Sequence, residues 1–270
     1  PDAPGRITHF QAMATAVSAT VGLGNIAGVA VAISLGGAGA TFWMFCAGFF
    51  AMSLKFTECT LGVKYREINE DGRIFGGPMN YLRYGLEKRN MKGLGKFLAS
   101  LFAILGVGAS FGGGNMIQSN QAFKIVSEQL PFLEGQGFLF GVGFAILVGA
   151  VILGGINSIA RVTGKVVPVM AIIYILGCAV VIGVNIENIG AAFSAIYNGA
   201  FSADALKGGF IGVLIVGLQR AAFSSEAGVG SAAIAHSATK TNNPIADGFT
   251  SLVEPFIDTM IVCTMTALVL

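Results

Sequence analysis

The stretch Ala19-Thr20-Val21-Gly22-Leu23-Gly24-Asn25-Ile26-Ala27-Gly28-Val29 decides how the rest of the chain is interpreted. It lies inside an apolar segment long enough to span a membrane, yet it contains several glycines and an asparagine. Each glycine costs a helix interior about 1 kcal/mol relative to alanine, so the sequence predicts an interrupted helix here. Backbone groups freed at membrane depth are tolerated only beside protein or a water-filled cavity. We therefore expect the interruption to form half of a binding site.

The alternative for this stretch is a continuous helix. Gly24 and Gly28 form a GxxxG pattern, which is typical of close helix packing in membranes. That interpretation explains these two glycines, but it leaves Gly22 and Asn25 beside them unexplained.

Composition places the chain in the membrane class. Of its 270 residues, 54% are hydrophobic and 11% are charged, and the mean hydropathy is +0.75. Soluble domains carry roughly 25% charged residues. The four cysteines have no CxxC spacing and are interpreted as packing residues, and the two histidines are too few to form a metal site alone. The sequence predicts no nucleic-acid partner and no cofactor.

Hydropathy predicts an all-α membrane protein with seven spans and two surface helices. The spans cover about 10–35, 41–65, 97–126, 137–156, 166–184, 206–231 and 248–270. The surface helices are expected near 79–86 and 188–201, where apolar residues recur at helical spacing.

The distribution of Lys and Arg predicts a cytoplasmic N-terminus, because cytoplasmic loops carry an excess of these residues. With that orientation, the inside segments hold Arg6, Lys64, Arg66, Arg73, Arg83, Lys88, Arg89, Lys92, Lys96, Arg161, Lys165 and Lys240. The outside segments hold only Lys124 and Lys207. The first and sixth spans then cross the membrane in opposite directions.

A weak internal repeat links those two spans. Val21-Gly22-Leu23-Gly24-Asn25-Ile26-Ala27 and Ala227-Gly228-Val229-Gly230-Ser231-Ala232-Ala233 share one pattern of small, apolar and polar residues. Interrupted spans at corresponding positions of two halves indicate the binding site of a secondary transporter. We interpret residues 1–270 as one transporter domain, with a first five-helix repeat over 10–201 and two helices of a second repeat over 202–270. The chain is then a fragment that ends after the seventh core helix.

An interrupted span offers two kinds of binding group. The N-terminus of a half-helix presents free N–H groups that favour a carboxylate. Freed carbonyls, together with the Asn25 side chain, can coordinate a small cation such as Na⁺. Gln118, in a polar part of the third span, is the preferred additional contact for a substrate, and Asp258 is the best candidate for cation or proton linkage.

Other ionisable residues in the spans have a plainer interpretation. Lys55 and Glu58 lie three residues apart and are expected to form a salt bridge that holds the bundle or a gate. Arg220 and Glu226 lie on opposite faces of a regular helix, so a direct pair would require an interruption. Glu254 is a further candidate, since ionisable groups are rare in membrane spans.

Several motifs together resemble one family, the alanine or glycine:cation symporters. They are 20–30 (TVGLGNIAGVA), 76–79 (GGPM), 114–118 (GNMIQ), 223–231 (FSSEAGVGS) and 256–259 (FIDT), which follow in the family's order over nearly the whole chain. The resemblance implies the LeuT-type fold with two inverted five-helix repeats. It also implies sodium- or proton-coupled uptake of alanine, glycine or similar amino acids into the cell.

The resemblance also implies binding residues. Substrate would meet Gly22, Leu23, Gly24, Asn25, Gln118, Phe223 and Ser224. Na⁺ would be held by Ser18, Thr20, Val21, Asn25 and Asp258, with one of two sites completed by an eighth helix. The family usually has threonine where this chain has Leu23. That departure affects a side-chain contact but leaves the backbone contacts intact.

The sequence therefore predicts a symporter of small neutral amino acids that works by alternating access in the cell membrane. The alternatives are a non-transporting receptor or channel of the same fold, or a symporter for another small amino acid or amine. An enzyme is disfavoured, because the sequence suggests neither a nucleophile and base nor a metal cluster.

Overall fold

The computed structural model describes residues 3–201 and 209–270, which are predominantly helical. The helices are α1 (His9–Thr20), α2 (Leu23–Gly36), α3 (Gly39–Lys64), α4 (Pro78–Glu87), α5 (Lys92–Phe111), α6 (Ile117–Gln129), α7 (Gly137–Ile152), α8 (Gly155–Val184), α9 (Ile189–Phe201), α10 (Gly209–Ser225), α11 (Ser231–Ser237), α12 (Pro244–Ser251), α13 (Val253–Pro255) and α14 (Thr264–Val269). π-Helical segments join α5 to α6 and α13 to α14; they are Gly112–Met116 and Phe256–Cys263. Short 3₁₀ turns cover Pro131–Leu133 and Ile186–Asn188.

Seven of the resulting helical segments match the predicted spans. Five are long and apolar enough to cross a membrane: His9–Gly36, Gly39–Lys64, Lys92–Gln129, Gly155–Val184 and Pro244–Val269. The fourth and sixth predicted spans correspond to the shorter apolar helices α7 and α10. The predicted start of the sixth span, near Leu206, lies outside the described residues. Helices are present at both positions predicted for surface helices, as α4 and α9; their place on the membrane surface stays a prediction.

The prediction for the start of the fifth span was wrong. Helix α8 begins at Gly155 and continues through Pro168, so Arg161 and Lys165 lie in its first turns instead of in a loop. Gly155 has a φ of +65°, a conformation that glycine adopts without strain, and it separates α7 from α8. The chain therefore turns before the two basic residues.

A small β-hairpin that the sequence analysis missed follows α3. Strands β1 (Glu67–Ile68) and β2 (Ile74–Phe75) pair antiparallel, with Glu67 opposite Phe75. The strands are too short to show an alternating apolar pattern, which explains why hydropathy gave no sign of them.

Helix α3 is the central element of the bundle. The main apolar core packs side chains of α2, α3 and α10 against the last span, with Val29, Met44, Val213 and Cys263 almost completely buried. In contrast, α5 to α8 direct most of their large apolar side chains outward. An outward apolar surface of this kind suits lipid or further membrane helices.

Arg66, just beyond α3, holds the chain together at one end of the bundle. Its guanidinium donates to the backbone carbonyls of Pro4, Ser237, Thr239 and Thr241 at 2.6–2.8 Å. Partial burial lowers the pKa of this guanidinium from its usual value. One side chain thereby fastens the segment before α1 to the segment after α11.

A close approach between α3 and α9 generates a first prediction. A Cβ on Gly39 would overlap the carbonyl carbon of Gly199, so Gly39→Ala must push α3 and α9 apart. Overpacking of this kind costs about 1–3 kcal/mol. We expect a lower thermal unfolding midpoint of the detergent-solubilised full-length protein.

The matched control is Gly93→Ala, because a Cβ on Gly93 would contact nothing within 4 Å among the described residues. That variant should unfold at or slightly above the original midpoint. Equal midpoints for the Gly39 and Gly93 variants would contradict the close approach of α3 and α9.

Candidate functional site

The first span is interrupted at the predicted stretch. Helix α1 ends at Thr20 and α2 begins at Leu23, with Val21 and Gly22 between them in non-helical conformations. Gly22 N donates to Asn25 Oδ1 at 2.8 Å, and Asn25 N donates to Gly22 O at 3.2 Å. The asparagine thus closes the gap with a reciprocal pair of hydrogen bonds, which explains why this polar residue follows the glycines.

The interruption leaves backbone groups free on both sides. The last carbonyls of a helix have no intrahelical donor, so those of Ser18 and Thr20 point towards the gap. At the start of α2, the N–H groups of Leu23 and Gly24 have no intrahelical acceptor. Within the described part of the chain, neither N–H donates to any other group. The gap therefore has a partly negative side and a partly positive side.

The sixth span is interrupted as well. Helix α10 ends at Ser225 and α11 begins at Ser231. Glu226 has a φ of +49°, Gly228 of +83° and Gly230 of +90°, so the chain makes a left-handed turn between the helices. The N–H groups of Gly228 and Gly230 both donate to Glu58 Oε2 at 3.1 Å. In this second interruption, a carboxylate from α3 already occupies two of the freed amides.

A buried polar junction connects both interrupted spans to the last one. The side-chain amide of Asn25 donates to Asp258 Oδ1 at 2.8 Å and lies 3.2 Å from Ser224 Oγ. Ser224 and Thr259 hydroxyls donate to Asp258 Oδ2 at 2.9 and 2.7 Å. Cys263 Sγ lies 3.3 Å from both the Asn25 amide and Ser224 Oγ. All three partners of the Asp258 carboxylate are neutral.

Asp258 is completely buried, and no positively charged side chain among the described residues lies within ion-pair distance of its carboxylate. A buried charge normally requires a partner of opposite sign or a bound metal ion. Asp258 therefore has the surroundings expected of a cation ligand.

Gln118 lies beside the first interruption, and its role as a substrate contact stays a prediction. A Cβ built on Gly22 would be 3.9 Å from Gln118 Oε1, so this side chain faces the first interruption. It follows the π-helical segment Gly112–Met116, and π-helical turns are frequent at functional sites. The nearby Asn115 and Asn120 are exposed and do not join it.

The other predicted binding residues are arranged around the same gap. The Phe223 ring reaches the edge of Gly24, 3.8 Å from a Cβ built there, and is half exposed. Ser18 Oγ donates to Thr15 O and Thr20 Oγ1 to Val17 O, so these hydroxyls bond within α1. Their roles, and that of Val21, stay predictions.

The predicted salt bridge between Lys55 and Glu58 is present at 3.6 Å, and Lys55 also faces Glu254 at 3.3 Å. The structure contains no ion pair between Arg220 and Glu226 in its described part; Glu226 instead accepts from Ser231 Oγ at 2.6 Å. Lys55, Glu58 and Glu254 are part of a larger set of ionisable side chains in contact. Sequence reasoning missed three of its members, which are His9, His236 and Asp247. Only their position in or near apolar spans could have suggested them.

Comparison with known proteins agrees with this geometry. Residues 2–270 match the model of the sodium:alanine symporter family. The chain is 46% identical over 270 residues to the sodium/alanine symporter AgcS of Methanococcus maripaludis, a match that covers 98% of this chain and 58% of the relative. It is 36% identical to a putative sodium/proton-dependent alanine carrier protein, YrbD, of Bacillus subtilis, over 97% of this chain and 52% of that one.

A third relative is the probable sodium/glutamine symporter GlnT of Bacillus subtilis, at 35% identity over 98% of this chain and 53% of the relative. The chain thus spans little more than half the length of these curated relatives. The family match, in contrast, covers almost every residue and includes both interrupted spans together with Gln118 and Asp258. With its several apolar helices this is a multi-pass membrane protein, and the chain belongs to the sodium:alanine symporter family.

Proposed function

We propose that the protein containing this chain carries out sodium-coupled symport of small neutral amino acids, such as alanine or glycine, by alternating access. The observation that carries the proposal is the interrupted first span, whose free amides at Leu23 and Gly24 lie beside the buried Asn25–Asp258 junction. Family membership and the names of AgcS and YrbD support the substrate class.

The proposed architecture is the LeuT-type inverted repeat. Residues 10–201 would form the first five-helix unit, and 202–270 would supply the first two helices of the second. One support is that the first and sixth predicted spans are both interrupted. Another is the distribution of Lys and Arg, which favours a cell-membrane protein whose N-terminus is cytoplasmic.

Substrate binding is assigned to the positive side of the first interruption. The substrate carboxylate would accept from the N–H groups of Leu23 and Gly24, where the dipole of α2 favours an anion. Gln118 would supply a further polar contact, and the half-exposed Phe223 ring would cover the bound molecule. Gly22 and Gly24 carry no side chain, so a substrate carboxylate could approach the backbone there closely.

Sodium binding is assigned to the negative side. The freed carbonyls of Ser18, Thr20 and Val21, the Asn25 side chain and the Asp258 carboxylate supply oxygen ligands, which a hard cation prefers. The neutral surroundings of Asp258 fit such an ion, because the ion would balance a buried charge. Bound Na⁺ and bound carboxylate would each offset the other's field across one gap, and their binding would thereby be coupled.

The proposal is tested first with the unaltered full-length protein in sealed vesicles. An inward sodium gradient should drive accumulation of labelled alanine or glycine above equilibrium, since downhill sodium entry supplies the free energy. Accumulation driven equally well by a proton gradient without sodium would assign the coupling to protons. If neither gradient drives uptake of these amino acids, the proposal is wrong.

Substitution of Asp258 tests the cation assignment. Asp258→Asn keeps the shape of the side chain but removes the charge that balances Na⁺, so the half-saturating sodium concentration should rise about tenfold or more, or about 1.4 kcal/mol. The measurement is alanine binding to purified protein over a sodium titration. Asp71→Asn, in the exposed turn of the β-hairpin, is the charge-matched control and should leave the sodium titration unchanged.

Substitution of Gln118 tests the substrate assignment. Gln118→Ala removes one hydrogen bond to a charged or polar substrate group and should weaken alanine binding about tenfold at saturating sodium. Ser119→Ala is the neighbouring control, because the Ser119 hydroxyl donates only to carbonyls of its own helical segment. Equal alanine affinities for the two variants would remove Gln118 from the substrate site.

A further inference from the structure

A series of charged side chains in mutual contact runs through the bundle, separate from the proposed binding site. Lys55 Nζ lies 3.6 Å from Glu58 Oε1 and 3.3 Å from Glu254 Oε2. Glu254 Oε1 lies 2.5 Å from His236 Nε2, and His236 Nδ1 lies 2.8 Å from Asp247 Oδ2. These five side chains are at most 5% exposed. Burying one ion is costly, so the five are stable only as a set.

The hydrogen-bond partners of the central histidine favour its charged form. Both ring nitrogens of His236 face carboxylate oxygens, one on Asp247 and one on Glu254. When both carboxylates are ionised they only accept hydrogen bonds, so both ring nitrogens donate and His236 is an imidazolium. The five buried groups then carry three negative charges and two positive charges.

The sixth member comes from the first span. His9 Nδ1 lies 2.8 Å from the second carboxylate oxygen of Asp247, and His9 is 37% exposed while Asp247 is completely buried. His9 is the first residue of α1, next to the capping residue Thr8. A protonated His9 makes the set neutral, and among the described residues no other side chain of α1 forms a hydrogen bond or ion pair with these charges.

At the other end of this series of charged side chains, Glu58 contacts the interruption of the sixth span. Glu58 accepts from the N–H groups of Gly228 and Gly230 through one oxygen, while its other oxygen has no hydrogen-bond partner and faces Lys55. The free oxygen of Glu254 faces Lys55 as well. The position of Glu58, and hence the shape of the turn at 226–230, depends on where Lys55 and Glu254 lie.

We propose that this series of charged side chains, which begins at His9 and ends at Glu58, is a positioning network. It makes the first and sixth spans change conformation together. The inference rests on the proposed function, because it assigns a purpose to movement of α1 during alternating access. When α1 leaves the bundle, Asp247 loses its outer partner. The remaining charges then redistribute around Lys55, and the hold of Glu58 on the turn changes. His9 and Glu58 are positioning residues and do not contact the substrate.

A native cysteine reports on the network. Cys59 follows Glu58, is completely buried, and packs between Ala16 of α1 and Ala232 of α11. Ser251 of α12 also contacts its thiol, so Cys59 becomes reactive towards a small maleimide when α1, α11 or α12 separates from α3. Its alkylation rate in the full-length protein can be followed by peptide-resolved mass spectrometry without substrate, so the readout is valid whether or not the protein transports alanine.

The decisive experiment is a double-mutant cycle on the alkylation rate of Cys59. Residues in one network couple, whereas distant independent sites are additive, so His9→Ala should raise the rate about tenfold alone and less than about twofold in a Glu58→Gln background. His9→Lys should restore slow alkylation, because it returns a cation to Asp247. The control is Thr163→Val, which removes the 3.0 Å contact between Thr15 of α1 and Thr163 of α8. It should change the rate by the same factor in both backgrounds.

Equal factors for His9→Ala in both backgrounds, or no effect of His9→Ala at all, would overturn the proposal. If the Glu58→Gln variant does not fold, a cysteine introduced by Ala227→Cys is used instead. The alkylation rate of this cysteine reports directly on the turn at 226–230. His9→Ala should then raise this alkylation rate more than Thr163→Val does; equal rates for the two variants would reject the network. Sodium-driven uptake by the unaltered protein tests the proposed function separately, so the two ideas can fail independently.

Discussion

Interrupting a helix at membrane depth frees backbone N–H and C=O groups that water cannot satisfy, and this constraint governs the structure. Each such group costs several kcal/mol in hydrocarbon. In this protein, side chains satisfy part of the freed groups at each interruption. Asn25 closes the first gap with its own amide oxygen and backbone N–H, whereas Glu58 closes the second from a neighbouring helix. Together these two side chains accept hydrogen bonds from three of the freed N–H groups.

The two solutions leave the gaps chemically different. Asn25 is neutral and leaves the amides of Leu23 and Gly24 free. Glu58 already accepts from the amides of Gly228 and Gly230, so these amides are not free for another anion. The proposed substrate carboxylate would therefore have one favourable position, and the two interruptions, which look alike in sequence, differ in their hydrogen bonding.

The sequence predicted the features that depend on local pattern. Glycines beside a polar residue located both interruptions, and the polar part of the third span drew attention to Gln118, which lies near the first one. Helix α8 could not be delimited in this way, because basic residues in its first turns resemble a loop. The buried charges were only partly foreseen. Lys55 and Glu58 are neighbours in sequence, but His9, His236 and Asp247 meet only through tertiary packing, which periodicity does not encode.

The charges on α3 also bear on how the protein is made. Lys55 and Glu58 enter the membrane with the second span, but Glu254 and the glycine amides that stabilise them belong to later spans. At about 5–20 residues per second, the ribosome needs on the order of ten seconds or more to supply those partners. Over that interval α3 is less stable in lipid, because a lysine near the middle of a span opposes insertion by about 2.5–3.5 kcal/mol. Until the later helices arrive, insertion of the second span therefore depends on its own apolar residues to offset the cost of the lysine.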